Sequence, residues 1–590
     1  MMNEHEITDS LIFHVSSQDF AHIPGSPIVY WLSEAMLKTF TKGEALEKVA
    51  KPRQGLATAD NNRFVREWWE VSNNRTSFCC TSREEASQSG AKWFPYNKGG
   101  DFRKWYGNQE HVVNWKSDGH EISTFGANEG GRVRSRPQNA GFYFQSAISW
   151  SNVTSGVPSF RYYQEGFIFS HVGDCVFGNS KQAETNLLSI CNASVVGELL
   201  AAIAPTLHFE VGQVAQLPIV SEMAQSTEGN VDNLICAAQQ DWDSCETSWN
   251  YRQSALLNKS HDGIMEHAIA SLLQQWQTLS EEQRQREIRN NELVADAYGV
   301  RNEVACDVPL ERVSLKRNSA FTYPDKTSAE RDKLFARDVV KEFISYAVGC
   351  MFGRYSIDKS GLILASQGES VDDFHERVPN TRFDPDKDNV IPVTEVDCFE
   401  DDIVSRFRRF LEVTFGPEHL AENLSYIERT LGKPLRKYFV NDFYNDHVAM
   451  YKNRPIYWQY SSRTDNKGAF KALVYMQRYT PATTHTVLEY LRDFTAKIAD
   501  QANQLERSDR AKDKREAEKL HKAVTECKAY EDNVLYPLAT RNLEIDLDDG
   551  VLVNYLRMGQ ALRTIPAIEK KRKDVATWTW PVHPLKEDWR

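Results

Sequence analysis

Between residues 48 and 220 the sequence breaks into short β-prone runs, VVNW, GFYFQSAISW, EGFIFSHVG and DCVFG. Gly, Asn, Ser and Pro separate them at intervals of roughly ten residues, the pattern of mixed β structure with loops. A helical segment follows, ETNLLSICNASVVGELLAAIA, with Leu187, Leu188, Cys191, Val195, Leu199 and Leu200 at helical spacing. A short extended piece, PTLHFEVGQVAQLPIV, closes the region. The rest of the 590 residues reads mostly as helix. A chain of this length exceeds a single hydrophobic core, so the fold class is α+β and multidomain: a mixed-β domain followed by a largely helical C-terminal region.

Five parts are expected. Residues 1–47 form a connector, with an extended piece in SLIFHVSSQDFAHIPGSP and a helix in IVYWLSEAMLKTF that carries Ile28, Trp31, Leu32, Ala35 and Leu37 on one side. Residues 48–220 are the mixed-β domain and 221–338 a helical spacer, whose SLLQQWQTLSEEQRQREIRNNELVADAYG is a charged surface helix bounded by Gly299. Residues 339–483 are mixed: a helix ending near Gly353, an acidic loop DPDKDNVIPVTEVDCFEDD, three further helices, and strands in PIYWQYSS and KALVYMQRY. From 484 to 590, Leu491, Phe494, Ile498 and Leu505, then Leu520, Val524 and Cys527, keep a 3/4 spacing interrupted by ERSDRAKDKRE. That is a long helix or helical hairpin with a solvated, charged tip.

Charge singles out one stretch. Lys48–Gly166 carries 16 Lys and Arg against 11 Asp and Glu, whereas the whole chain has a net charge of −12. A basic, aromatic-rich segment inside an acidic protein points to a polyanion partner, and the acidic remainder discourages indiscriminate coating of it. The polar readers and phosphate contacts expected there are Arg53, Gln54, Asn61, Asn62 and Arg63, which lie near Gly55, then Lys98, Arg103 and Lys104 beside Gly99 and Gly100. Arg132, Arg134 and Arg136 alternate, so an extended backbone would put all three on one face. Trp68, Trp69, Trp93, Phe94, Tyr96, Trp105, Tyr106 and Trp115 read as core rather than as stacking platforms, because duplex readout needs none. Met450, Tyr451, Tyr457 and Trp458 read as core in the same way, with partner anchors as the alternative.

Catalytic chemistry is not legible. There is no GxxxxGK loop, no GxGxxG after a strand and no GxSxG elbow. His111 and His120 lack ligands at metal spacing, and Asp372–Asp373 and Asp401–Asp402 sit in acidic loops. No Asn/Asp-Pro-Pro-aromatic motif occurs; FPYN at 94–97 has one Pro and the wrong order. The start MMNEHEITDS is not a secretory signal, SVVGELLAAIAP is too short to span a bilayer, and the ten cysteines contain no CxxC pair. A reduced, cytoplasmic setting is expected.

Several longer strings resemble one family. KPRQGLATADNNRFVR, KWFPYNKGGDFRKWYGNQEHVVNW, ISYAVGCMFGRYSIDKSGLILA, FEDDIVSRFRRFLEVTFG, RKYFVNDFYNDH and RPIYWQYSS are similar in content and order to the PglX adenine-specific DNA methyltransferases of type 1 BREX phage-resistance systems. The resemblance runs from about Phe13 to at least Tyr479. The helix with its LPI ending also resembles target-recognition domains of type I and type IIG restriction–modification proteins. In that family the methyltransferase half, with its AdoMet loop and Pro-Pro motif, comes first. The resemblance therefore implies that this chain is the target-recognition and C-terminal part, whether separately encoded, truncated or excised, with AdoMet bound and methyl transfer performed by the other half. Double-stranded DNA, the methyltransferase half and other BREX proteins are the implied partners. The alternative is a scaffold of the defence complex whose DNA reader is vestigial.

Overall fold

The computed structural model describes residues 23–585 apart from 128–129, 155, 205–207, 221–229 and 260–261. The strand expected before Ile23 lies outside the described residues. About half the chain is helical. It divides into two compact units that interleave along the sequence. The first takes Met1–Val65, Thr76–Trp242 and Gln275–Ser328; the second takes Arg66–Arg75, Asp243–Gln274 and Ala329–Arg590. This division cuts across the five expected parts.

The first unit contains most of the β structure. One sheet has the strand order Lys51–Arg53, Cys175–Phe177, Ala147–Trp150, Phe160–Tyr163, every pair antiparallel. In another, Trp93–Asn97 runs antiparallel to His111–Asn114 and parallel to Ile168–Phe169. All residues of Trp93–Asn97 and Ala147–Trp150 are buried. Both faces of these strands are covered, so apolar and polar residues do not alternate along them, and their polar members Asn97 and Ser149 bond each other at 2.6 Å. Phe160–Tyr163 is a strand that the β-prone sequence runs do not mark. The LPI ending pairs at Pro218–Ile219 with Glu44–Ala45, so the expected connector is tied into this unit.

Two helical expectations change. The connector helix is Glu34–Lys42, not the whole of IVYWLSEAMLKTF. Ser33 caps it by accepting from the Met36 N–H, which fixes the start there; Ile28 and Trp31 are left exposed at 73% and 43%. The segment 184–204 is two helices, Lys181–Cys191 and Ser194–Ile203, bent by 76°. Asn192 makes the break. Its side-chain oxygen accepts from the Phe160 N–H at 3.0 Å and its amide donates to the Phe160 carbonyl at 2.9 Å, so it acts as an extra ladder residue on that edge strand. The leucines named from spacing are buried in the core beneath. Among the described residues no single helix is long and apolar enough to cross a membrane.

The helix Met265–Tyr298 ends before Gly299, which adopts a left-handed φ of 70°. It was expected to face solvent, but Gln283, Glu287, Asn290 and Asn291 are buried. Each has a partner: Gln283 donates to the Leu234 carbonyl at 3.2 Å, Glu287 accepts from the Trp105 indole at 2.8 Å, and Asn290 and Asn291 bond Ser189 and the Cys306 carbonyl. These bonds offset part of the cost of burying the stripe, although Gln283 Oε1 and Glu287 Oε2 are buried without a hydrogen-bond partner. Spacing at 3 and 4 residues is present, but the stripe is polar, so a hydrophobicity pattern misses it.

In the second unit Val390–Pro392, Lys471–Tyr475 and Tyr457–Ser461 form a three-stranded antiparallel sheet with Lys471–Tyr475 in the middle. The first of these strands lies within the segment expected to be only an acidic loop. Thr483–Glu506 and Ala511–Tyr530 form the helical hairpin, with ERSDRAKDKRE at its exposed turn. Tyr451, Tyr457 and Trp458 are fully buried. The segment REWWEV, expected in the DNA-reading domain, belongs largely here. The Trp68 and Trp69 indoles donate to the Thr247 and Arg454 carbonyls at 2.7 and 3.1 Å, and Arg66 donates to the Asp548 carbonyl at 2.9 Å.

One buried carboxyl makes stability depend on pH. Asp174 is fully buried; one oxygen accepts from the Asn152 amide at 3.1 Å and the other has no partner. Burial pushes its pKa from 3.8 up to about 7. An acid whose folded-state pKa is raised keeps a proton that the unfolded chain releases, so its contribution is lost as pH rises from about 4 to 7. Asp174→Asn should therefore stabilise the protein more at pH 8 than at pH 5, by about 2 kcal/mol. Denaturant titrations of both proteins at the two pH values test this, and an equal gap at both would contradict it.

Candidate nucleic-acid interface

Residues 53–63 and 132–139 come together through the backbone. Ala57 and Arg136 form a two-bond antiparallel bridge, Ala57 N–H to Arg136 carbonyl at 3.0 Å and the reverse at 2.8 Å. The Asn139 amide, on a left-handed residue of φ 53°, donates to the Gln54 carbonyl at 2.9 Å. On its other side Leu56 is bridged to Ser170. Gly55 permits this close approach: a Cβ there would sit 2.0 Å from the Phe169 carbonyl oxygen. The glycine beside Arg53 and Gln54 thus makes room for the protein's own backbone.

Around this junction the charged heads of the side chains rest over aromatic rings. The Arg53 guanidinium lies over the Phe142 ring at 5.3 Å, and Lys51 is 5.9 Å from the same ring. Arg63 and Arg134 both lie over Phe125, at 5.1 and 5.6 Å. Arg63 also donates to Glu121 at 3.0 Å. Asp60 accepts from the Arg63 N–H and caps the turn Asn61–Phe64, and Asn61 accepts from the Thr58 hydroxyl at 2.7 Å. Asn61 and Asn62 are exposed at the end of this turn.

Arg132, Arg134 and Arg136 are all exposed, while Ser135 between the last two is 3% exposed and donates to the Ile122 carbonyl. Val133 is also outward, at 46%, so the strict two-residue alternation holds only from Arg134 to Arg136. Among the described residues the guanidinium groups of Arg132 and Arg136 make no ion pair or hydrogen bond. Lys98 is half-buried in a turn fixed by Asn97, whose side chain accepts from the Gly99 N–H at 3.1 Å.

Arg103 and Lys104 are placed differently, and neither is available to a partner. Arg103 is buried; it pairs with Asp241 at 2.5 Å and donates to the Tyr106 carbonyl at 2.8 Å. Asp241 also accepts the Lys316 and Arg317 N–H groups at 2.8 and 2.7 Å. The Lys104 ammonium donates to the Asn192 carbonyl at 3.0 Å and lies 4.0 Å from buried Glu287. Burial lowers the Lys104 pKa, and it raises that of Glu287. Their counter-charges lie more than 130 residues away in sequence, where no local pattern reveals them. Lys51 and the Phe142 and Phe125 rings belong to the face, although composition did not single them out.

Gly99 and Gly100 follow a strand, where a nucleotide-type cofactor loop would need open space. A Cβ on Gly99 would lie 2.8 Å from the Val172 carbonyl oxygen and one on Gly100 2.6 Å from the Asn108 amide. The protein's own backbone and the Asn108 side chain thus occupy the side of each glycine where a Cβ would stand.

No family model matches the chain. Two curated proteins do. An adenine-specific methyltransferase PglX of Lacticaseibacillus casei (strain Zhang) is 33% identical over 570 residues, covering 92% of this chain and 45% of that protein. An adenine-specific methyltransferase BrxX of Escherichia coli O9:H4 (strain HS) is 33% identical over 578 residues, covering 93% and 46%. The chain thus spans a little under half the length of these relatives. Along nearly its entire length, then, the chain is similar to a part of these PglX and BrxX proteins.

Proposed function

We propose that this chain is the sequence-reading part of a BREX adenine-specific DNA methyltransferase, and that the face built on residues 51–63 and 132–139 meets the duplex. AdoMet binding and methyl transfer fall to the part of the family's length that this chain does not span. The observation that carries the reading is the Ala57–Arg136 bridge. It sets Arg53, Gln54, Asn61, Asn62 and Arg63 on one segment beside Arg134 and Arg136 on the other. The names of the two relatives support the chemistry served.

The division of labour follows from what adenine methylation needs. The target base must leave the stack, at a cost of a few kcal/mol, and must do so at one sequence. Arginines on a rigid face contact phosphates and fix register, while Gln and Asn side chains discriminate bases by about 1–3 kcal/mol per bidentate contact. Guanidinium groups already resting on aromatic rings have less freedom to lose when DNA arrives, which lowers the entropy lost on binding.

Duplex binding by the purified chain tests this directly. Fluorescence anisotropy should show log affinity falling linearly with log salt, with a slope of about −0.9 per phosphate contacted. With labelled AdoMet alone the chain should transfer no methyl group to DNA, and transfer should appear when the remainder of a family member is added. Co-purification with other defence proteins in the absence of any duplex binding at low salt would instead favour a scaffold with a vestigial reader.

A further inference from the structure

A buried lysine in the second unit lines a cavity that the reading face does not use. Lys471 lies on the middle strand of the three-stranded sheet and is 1% exposed. Its ammonium donates to the carbonyl oxygens of Val440 and Asn466, each at 2.8 Å. Val440 sits in the π-turn Phe439–Phe443. Such a turn interrupts the regular helical ladder and leaves carbonyls free for side-chain donors. That accounts for how the lysine is held, but not for its charge.

Among the described residues Lys471 forms no ion pair; Glu395, Asp465 and Glu526 act on it only at longer range. Burial dominates and pulls its pKa down to about 8. At neutral pH most molecules therefore carry a cation inside the fold with no carboxylate in contact, which is a costly arrangement. A second polar group is left over beside it. The amide nitrogen of Asn466 donates to the Asn441 carbonyl at 2.7 Å, while its oxygen is buried without a partner.

Lys471 and Asn466 line one cavity of about 360 Å³. Its apolar side comes from both arms of the helical hairpin: Phe494 and Ile498 from Thr483–Glu506, and Leu520 from Ala511–Tyr530. Of the two carboxylates at the cavity, Glu516 is paired with Lys519 at 3.0 Å, and Glu395 is exposed. An uncompensated cation, an orphaned acceptor and an apolar wall in a space of this size are the ingredients of a small-molecule site.

We propose that this cavity binds a small organic anion, its carboxylate or phosphate group neutralising Lys471 and its apolar body packing against Phe494, Ile498 and Leu520. A ligand N–H or O–H would satisfy the Asn466 oxygen. The volume suits one ring with its anionic group.

The test uses the full chain with benzoate and phenyl phosphate as probes, benzyl alcohol as the neutral counterpart and inorganic phosphate as the bare anion. Thermal shift and titration calorimetry are the readouts. At least one aromatic anion should raise the melting temperature with dose, while benzyl alcohol should not. Inorganic phosphate should bind more weakly than phenyl phosphate if the apolar wall contributes. Lys471→Met keeps the stem and removes the charge, and should weaken anion binding at least about tenfold. Ala523→Trp fills the cavity from the hairpin, leaves Lys471 in place, and should weaken it similarly. Absence of binding by both anions up to ~10 mM, about 2.7 kcal/mol of binding free energy, would overturn the proposal and leave Lys471 as a clamp on the π-turn. Equal affinity in wild type and Lys471→Met would also overturn it. Should Lys471→Met fail to fold, unchanged binding in Ala523→Trp would decide against the site.

Discussion

Simultaneous replacement of Arg132, Arg134 and Arg136 by Ala should weaken duplex binding roughly 30- to 1000-fold at low salt. The slope of log affinity against log salt should fall in magnitude by about 2–3. These side chains are exposed, and Arg132 and Arg136 hold no internal partner among the described residues. Their loss should therefore leave thermal stability within about 0.5 kcal/mol of wild type. Affinity and slope that do not move would remove this edge from the interface, and a duplex-binding isotherm repeated at four salt concentrations is enough to decide.

Asp241→Ala should have the opposite signature. It strips the counter-charge from buried Arg103 and two acceptor contacts from Lys316 and Arg317. Removing one member of a buried pair costs about 3–5 kcal/mol. At 2–4 °C per kcal/mol for a unit of this size, that lowers the melting temperature by roughly 6–20 °C. Asp241→Asn keeps the shape and one acceptor and should fall between. Arg103→Ala should likewise lower stability, and DNA affinity only as far as the fold is lost. A variant at Arg103 that binds DNA less tightly while melting normally would return this residue to the interface.

The contrast between these two sets shows what local pattern can report. Arg103 and Arg136 sit in equally basic, glycine-flanked strings, and nothing nearby separates them. What separates them is Asp241, 138 residues further on, and Ala57, 79 residues back. The aromatics were legible because a large apolar ring has few stable places other than a core; Trp93, Phe94, Tyr96, Trp105, Tyr106 and Trp115 are all at or below 2% exposure. The hairpin was legible because its apolar spacing stops and resumes around a charged turn. Met265–Tyr298 was misread because its inward stripe is Gln, Glu and Asn, each answered by a carbonyl, hydroxyl or indole elsewhere. The bend at Asn192 was hidden because it depends on Phe160, a strand not marked by its own sequence.

The interleaving of the two units has a practical outcome for anyone making chimeras. The chain passes from one unit to the other at 65/66, 75/76, 242/243, 274/275 and 328/329. A graft that exchanged only 48–220 between two relatives would carry REWWEV away from Thr247, Arg454 and Asp548, and would leave behind Asp241, Glu287 and Asn290. Recipient and donor would each supply half of several internal pairs. Transplants that retain solubility should be those whose seams follow all five crossings, or that co-transfer the distant partners as point changes.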